Sequence, residues 1–517
     1  MSTNFVKPPT KEKIKELAER RQLDLSDEDL ERFTGMMVGN AQEYNAVYSF
    51  PEHIPEVKYP RTPGHRPTPE ENPHHAWAWL SRIEGAKGGK LAGYSVAVKD
   101  SVCVAGVPMM NGSRTLEGYM PDRDATIVTR LLDAGATILG KSTCEDMCLS
   151  PFSFLTTYGP VLNPHKAKDG QERTTGGSSS GSAALVASGV ARLAIGGDQG
   201  GSIRIPSSCC GIVGLKPTYG LVPYTDIAPI VSCMDHAGPM AKTVDDVALM
   251  LEVMAGFDDN NDPRQPSIGF SVPEYTKTIN QPVENLKVAV LKEGFADCTD
   301  GVAAACKKAL EALRTIAAVE EISLPLHAMG PNAWGAVGLQ AIVQQQVDGA
   351  GFCGGDYGLL NYKMADASWR GTQTNGHSMG FLAKSMIIWG DYFLKKYGPS
   401  AYGKGHSVLL QLRRQYDDVL KNYDVIVMPT LKGTALPIPD ESNFMEILGK
   451  GFAQYVGAGC AFNLTHHPVL TLNAGFSPDD GLPVGLSLVG RHWQEERLLR
   501  VAKQVETTLK PLQQKSQ

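Results

Sequence analysis

No stretch of this chain stays apolar for the roughly 18 residues that a membrane-spanning helix needs, so no membrane association is expected. Neither sign of charge is in excess. The 49 basic and 55 acidic side chains leave a formal net charge of −6, without the basic field that nucleic acid or an anionic bilayer demands. Cysteine is scattered: its ten residues include one adjacent pair, Cys209 and Cys210, and no C-x-x-C spacing. That pattern argues against both a disulfide framework and a zinc ribbon. The cysteines read as buried reduced thiols, and the start lacks the apolar core of a secretory leader, so the expected compartment is cytoplasmic. In such a compartment the sequons at Asn111 and Asn463 carry no glycan. No ligand cluster stands out, and neither a metal nor a cofactor is expected.

Hydrophobic residues at 42% and charged ones at 20% are ordinary for a globular protein. Two helices open the chain. "TKEKIKELAERR" sets Ile14 and Leu17 on one face, and "SDEDLERFTGMMVGNAQEYNAVY" repeats Leu30, Phe33, Met37 and Ala41 behind Ser26 as N-cap. Seven of the 33 prolines then fall within 51–73, an extended linker. From residue 76 strands such as "YSVAVKD", "ATILGK", "ARLAIGGD", "LKVAVL", "DVIVMP" and "LPVGLSLVG" alternate with helices such as "ATIVTRLLDAG", "SAALVASGV", "VDDVALMLEVMAG" and "ERLLRVAKQVE". This alternation predicts an α/β fold, a large mixed sheet flanked by helices. Between 325 and 405 the periodicity is weak, which reads as a smaller subdomain or lid. The expected divisions are 1–75 (helices and linker), 76–283 (core), 284–405 (subdomain) and 406–517 (the C-terminal part of the core). The N-terminal helices suggest self-association as a homodimer.

Two motifs invite readings that their context opposes. "GATILGKS" (135–142) fits the phosphate-loop pattern, but its central residues, Ala136–Leu139, are a β-forming apolar run. "GSSSG" (177–181) fits the nucleophile elbow around Ser179, yet polar loop, not a buried strand, precedes it. A third constellation is Lys99 at the end of "SVAVKD", Ser178 in "TTGGSSSGSAAL" and Ser202 in "GGDQGGSIRIP". The two serine stretches adjoin apolar elements, and the 24-residue separation of Ser178 and Ser202 suffices for a helix, a turn and a strand to bring the second serine back to the first.

The block 176–220, "GGSSSGSAALVASGVARLAIGGDQGGSIRIPSSCCGIVGLKPTYG", closely resembles the signature of the amidase signature family. The likeness extends through "GVPMMNGSR", "DHAGPM", "DVIVMPT" and "GLPVGLSLVG", and looks strongest to amidases of nitrile-degrading bacteria. The resemblance implies hydrolysis of carboxamides to acid and ammonia or amine, or alternatively of carbamates. It also implies a small-molecule substrate, and leaves open a partner-dependent amidotransferase subunit. It makes Lys99, Ser178 (in a cis peptide) and Ser202 the catalytic residues, with Ser202 the nucleophile. A lysine is a base only when neutral, a form that a dry pocket favours.

On this reading the backbone N–H groups of Gln199, Gly200, Gly201 and Ser202 turn toward the carbonyl oxygen as it becomes negative. Gln199 departs from the threonine or isoleucine commoner in the family, a change that leaves the backbone donor in place. Ser179, Asp198 and Arg204 are expected to support the site, the last two as an ion pair. Cys148, Leu149 and Met234 are expected to line an apolar acyl pocket.

Overall fold

The computed structural model describes residues 5–52, 54–266, 268–351, 358–457 and 459–513, in two units, Met1–Glu56 and Val57–Gln517. The first holds the helices Lys11–Arg20 and Asp27–Ser49, the second capped reciprocally by Ser26 and Asp29, which satisfies amides that a bare helix end leaves orphaned. Ile14, Ala18, Leu30 and Ala41 are buried, whereas Phe33 and Met37, on the same expected stripe, stay 36–39% exposed. Two helices cover only the seam between them.

The second unit is built on one eleven-stranded sheet. Its strands are β1 (Trp77–Glu84), β2 (Ser95–Lys99), β3 (Thr137–Ser142), β4 (Leu193–Asp198), β5 (Val213–Lys216), β6 (His236–Ala241), β7 (Lys287–Leu291), β8 (Ala318–Ile322), β9 (Val425–Pro429), β10 (Val469–Phe476) and β11 (Pro483–Val489). They lie in the order β1-β3-β2-β4-β6-β5-β10-β11-β9-β7-β8. β2 runs parallel to β3 and β4, and β7 parallel to β8 and β9, while the other pairs are antiparallel. The sheet is therefore mixed, as the alternation of elements predicts.

Period-two alternation sends the side chains of the inner strands to two cores. Val96, Val98, Leu193 and Ile195 join the larger one, against the helices Thr126–Asp133 and Val244–Met254. Ala97 and Ala194 face the other way, where their small side chains admit the helix Ser180–Ser188. By the same alternation Lys99 follows Ala97 toward that helix. β8 closes one edge with the exposed Glu320 and Glu321, charges that discourage further strand pairing.

The weakly periodic stretch holds the helices Gly330–Ala341, Tyr362–Asn375, Phe381–Tyr397 and Ser400–Leu420. The first packs against the last two and buries small residues such as Ala333 and Ala341, so no single apolar stripe marks it in the sequence.

Ionisable groups are sealed into this core. Lys141, the lysine of the phosphate-loop-like motif, is fully buried; its Nζ donates to the Val102 carbonyl and stands 3.4 Å from Asp100 Oδ1. It is an internal tie, and residues 137–142 are strand. Glu145 is also fully buried, and among the described residues neither carboxyl oxygen has a hydrogen-bond partner. It packs behind Gly177, where an added Cβ would stand 3.0 Å from Glu145 Cγ and 1.9 Å from the Phe152 carbonyl oxygen.

Burial pushes the Glu145 carboxyl from an ordinary 4.5 up to about 8. Between those values the folded chain holds a proton that the unfolded chain has released. Stability contributed below pH 4.5 is therefore lost as pH rises toward 8, by up to about 1.4 kcal/mol per pH unit. Glu145→Gln, which does not titrate, should melt close to wild type near pH 4.5 and several degrees higher at pH 8. Scanning calorimetry across that range checks this; a difference that stays constant with pH would mean that the carboxyl is ionised throughout.

Candidate active site

The parallel neighbours β2 and β4 end side by side, and their C-terminal residues carry the site. Lys99, 1% exposed, closes β2. Its Nζ donates to Ser178 Oγ at 2.8 Å and to the Gly197 carbonyl at 3.4 Å. The Gly177–Ser178 peptide bond is cis. Gly177 N–H donates to the Pro151 carbonyl, and Glu145 N–H to that of Ser178, which holds this peptide from both sides. Ser179 Oγ donates to the Gly197 carbonyl and accepts from the Gly197 amide, both at 3.2 Å. Ser179 is thus a brace between the serine loop and β4, with a fully buried side chain. Its amide donates to the Ser202 carbonyl at 3.3 Å, joining the two serine stretches directly.

β4 delivers Asp198 into a fully buried position. Arg204 meets its carboxylate with two bonds, Nε to Oδ2 at 3.0 Å and Nη2 to Oδ1 at 2.9 Å, in the forked geometry that guanidinium and carboxylate share. The amides of Gly201 and Ile203 add bonds of 2.8 and 3.1 Å. Asn463 Nδ2 donates to both the carbonyl and Oδ1 of Asp198 at 2.8 Å, and its own oxygen accepts from Arg204 at 2.7 Å. Burial alone would raise the Asp198 carboxyl; the Arg204 guanidinium, helped by Asn463, outweighs that and holds it well below the usual range.

One expectation changes here. The Gly201 amide is engaged by Asp198 and does not face a substrate oxygen. Gly201 sits at φ +130°, and a Cβ there would come within 2.8 Å of Ile205, so a glycine lets the amide turn back onto the carboxylate. Among the described residues, the amides of Gln199, Gly200 and Ser202 have no acceptor.

Ser202, 8% exposed, opens onto a cavity of about 70 Å³ with Cys148, Leu149, Gln199, Met234 and Trp334 in its wall. The three expected pocket residues all belong to it. Cys148 Sγ donates to Asn111 Oδ1 at 3.4 Å. None of the described lining residues is charged. Seven of the nine cysteines among the described residues are buried.

Trp334 and Asn463 escape sequence reasoning. The Trp334 indole N–H donates to the Gln199 carbonyl at 2.8 Å and its ring lies over Gly200, although it comes from the weakly periodic region. Asn463 lies 265 residues beyond Asp198, and its sequon signals nothing about a carboxylate. Tyr224 likewise receives the Gln199 side-chain amide at 2.8 Å.

This geometry has relatives. An enantioselective amidase of Rhodococcus rhodochrous is 41% identical over 441 residues, 84% of each chain. One subunit of the glutamyl-tRNA(Gln) amidotransferase of Methanosarcina acetivorans is 34% identical over 426 residues, 81% of this chain and 85% of that one. The solved structure of the native peptide amidase of Stenotrophomonas maltophilia matches with a TM-score of 0.66 at 28% identity, over 82% of this chain and 84% of the other. A family model described as Amidase covers residues 60–499, and by that match the chain belongs to the amidase family of C–N hydrolases.

Proposed function

We propose that the protein hydrolyses apolar carboxamides to a carboxylic acid and ammonia or amine, through an acyl-enzyme on Ser202. The observation that carries this reading is the approach of Lys99 Nζ to Ser178 Oγ, 2.8 Å, between two buried side chains. As a neutral amine Lys99 takes the Ser178 proton while Ser178 takes that of Ser202, and Ser202 Oγ attacks the carbonyl carbon. The oxygen becomes negative against the unengaged amides of Gln199, Gly200 and Ser202, where loss of one donor costs about 3 kcal/mol. The proton returns through Ser178 to the nitrogen as the C–N bond breaks, and water then releases the acid by the same relay.

The uncharged wall of the cavity favours an apolar acyl group over glutamine, whose α-ammonium and carboxylate would be buried without partners. That separates an amidotransferase-type subunit from a free-standing amidase. A carbamate presents the same carbonyl and is the alternative substrate class. The proposed setting is cytoplasmic.

Ser202→Ala should abolish turnover with the fold intact, and a phosphonate probe should label Ser202 in the mass spectrum, not Ser179. Lys99→Ala should lower kcat by several orders of magnitude with KM little changed, since the base acts in the transition state; near-wild-type turnover would rule the relay out. Steady-state rates on benzamide, a medium aliphatic amide, ethyl carbamate and glutamine should rank the two amides first. Glutamine as the best substrate would overturn the assignment.

The first unit leaves Met36, Tyr44, Val47 and Tyr48 exposed, an apolar surface suited to a second copy of the chain. Deleting residues 1–48 should shift sedimentation from dimer toward monomer with turnover per chain retained, and an unchanged profile would remove the dimer contact.

A further inference from the structure

Apart from the Lys–Ser–Ser centre, three side chains meet on the second unit. Asp417 comes from the helix Ser400–Leu420, His467 from the link between the helix Ala461–Thr465 and β10, and His492 from the turn after β11. Asp417 Oδ1 stands 3.2 Å from His467 Nε2 and 3.3 Å from His492 Nδ1. All three ligating atoms lie within 4.8 Å of one another. Around a tetrahedral zinc, with bonds of about 2.0–2.1 Å, ligand atoms are about 3.3 Å apart; two of the three separations already have that length.

The hydrogen bonds behind the rings show why a cation suits this place. His492 Nε2 stands 2.9 Å from the Thr465 carbonyl oxygen, a group that only accepts, so this nitrogen carries the proton. In the neutral ring Nδ1 is then a bare lone pair, facing a carboxylate oxygen that also only accepts. His467 Nδ1 meets Thr465 Oγ1 at 3.1 Å. One residue therefore orients both imidazoles from behind, as the outer partners of metal-bound histidines do. Arg413 Nε, 4.0 Å from Asp417 Oδ2, attends the other carboxylate oxygen. His467 is sealed, while Asp417 is 43% exposed, so the group opens to solvent on one side.

We propose that Asp417, His467 and His492 bind one divalent transition-metal ion of the zinc class, with water completing the coordination. Two imidazoles and one carboxylate suit Zn²⁺, whereas Mg²⁺ and Ca²⁺ seek oxygen ligands. The ion ties the helix 400–420 to the entry of β10 and the exit of β11, as a structural site that takes no part in hydrolysis. The first two ligands are 50 residues apart and the third lies 25 further on, so the sequence shows no ligand cluster.

Isothermal titration of the untagged, chelator-stripped full chain with Zn²⁺ alone tests the site, with Co²⁺ absorption as a report on geometry. One equivalent should bind, the Co²⁺ form should show the intense visible bands of four-coordination, and Zn²⁺ should raise the melting temperature. His492→Ala and Asp417→Ala should each weaken binding at least tenfold, with amide turnover at the wild-type level confirming that both variants fold. Absence of stoichiometric binding, or wild-type affinity in both variants, would overturn the proposal.

Discussion

The Asp198 carboxylate is the constraint on which the site depends. A bare carboxylate this deep is prohibitively costly, and it persists because Arg204, Asn463 and the amides of Gly201 and Ile203 converge on it. Satisfying it forces the loop after β4 to double back, with the amides of Gly201 and Ile203 turned inward onto the carboxylate. The glycines of "GGDQGGS" therefore serve an internal anion as much as any substrate. The anion also recruits residues 459–463, since Arg204 donates onward to the Gly459 carbonyl. A late segment of the chain is thus drawn in against Asp198 and Arg204.

The sheet does the rest of the positioning. Because β2 and β4 are parallel neighbours, Lys99 and Asp198 emerge at the same edge, where the ends of parallel strands open a crevice. The alternation that buries Val98 in one core turns Lys99 to the opposite side, toward the helix that begins beyond Ser178 and Ser179. Ser179 then locks that loop to Gly197 with two bonds. Its role is that of a brace, although its local sequence matches a nucleophile motif.

The helices between 330 and 420 line the site as well as cover it. Trp334 grips the Gln199 carbonyl, and Met386 and Ile342 complete the apolar wall. Their helices pack on several sides at once, so burial is spread around the circumference and the amphipathic signal is lost. Strands such as β6, "HAGPMA", and β1, "WAWLSRIE", are obscure for a related reason: they contain few β-branched residues and owe their extension to the partners they pair with.

Local chemistry in the sequence determined the capped N-terminal helices, the alternating α/β order, and the two serine stretches with the lysine that precedes them. These features rest on interactions within a few residues, where propensity, capping and periodicity act directly. The tertiary structure alone decided that Lys141 ties Asp100 instead of holding a phosphate, that the Gly201 amide is occupied, and that Asn463 and Trp334 belong to the site. It also decided that Asp417, His467 and His492 meet. Each of these depends on which partner fills the space beside a buried polar group, and that partner comes from a distant part of the chain, chosen by packing and by the cost of leaving a charge or an amide unpaired.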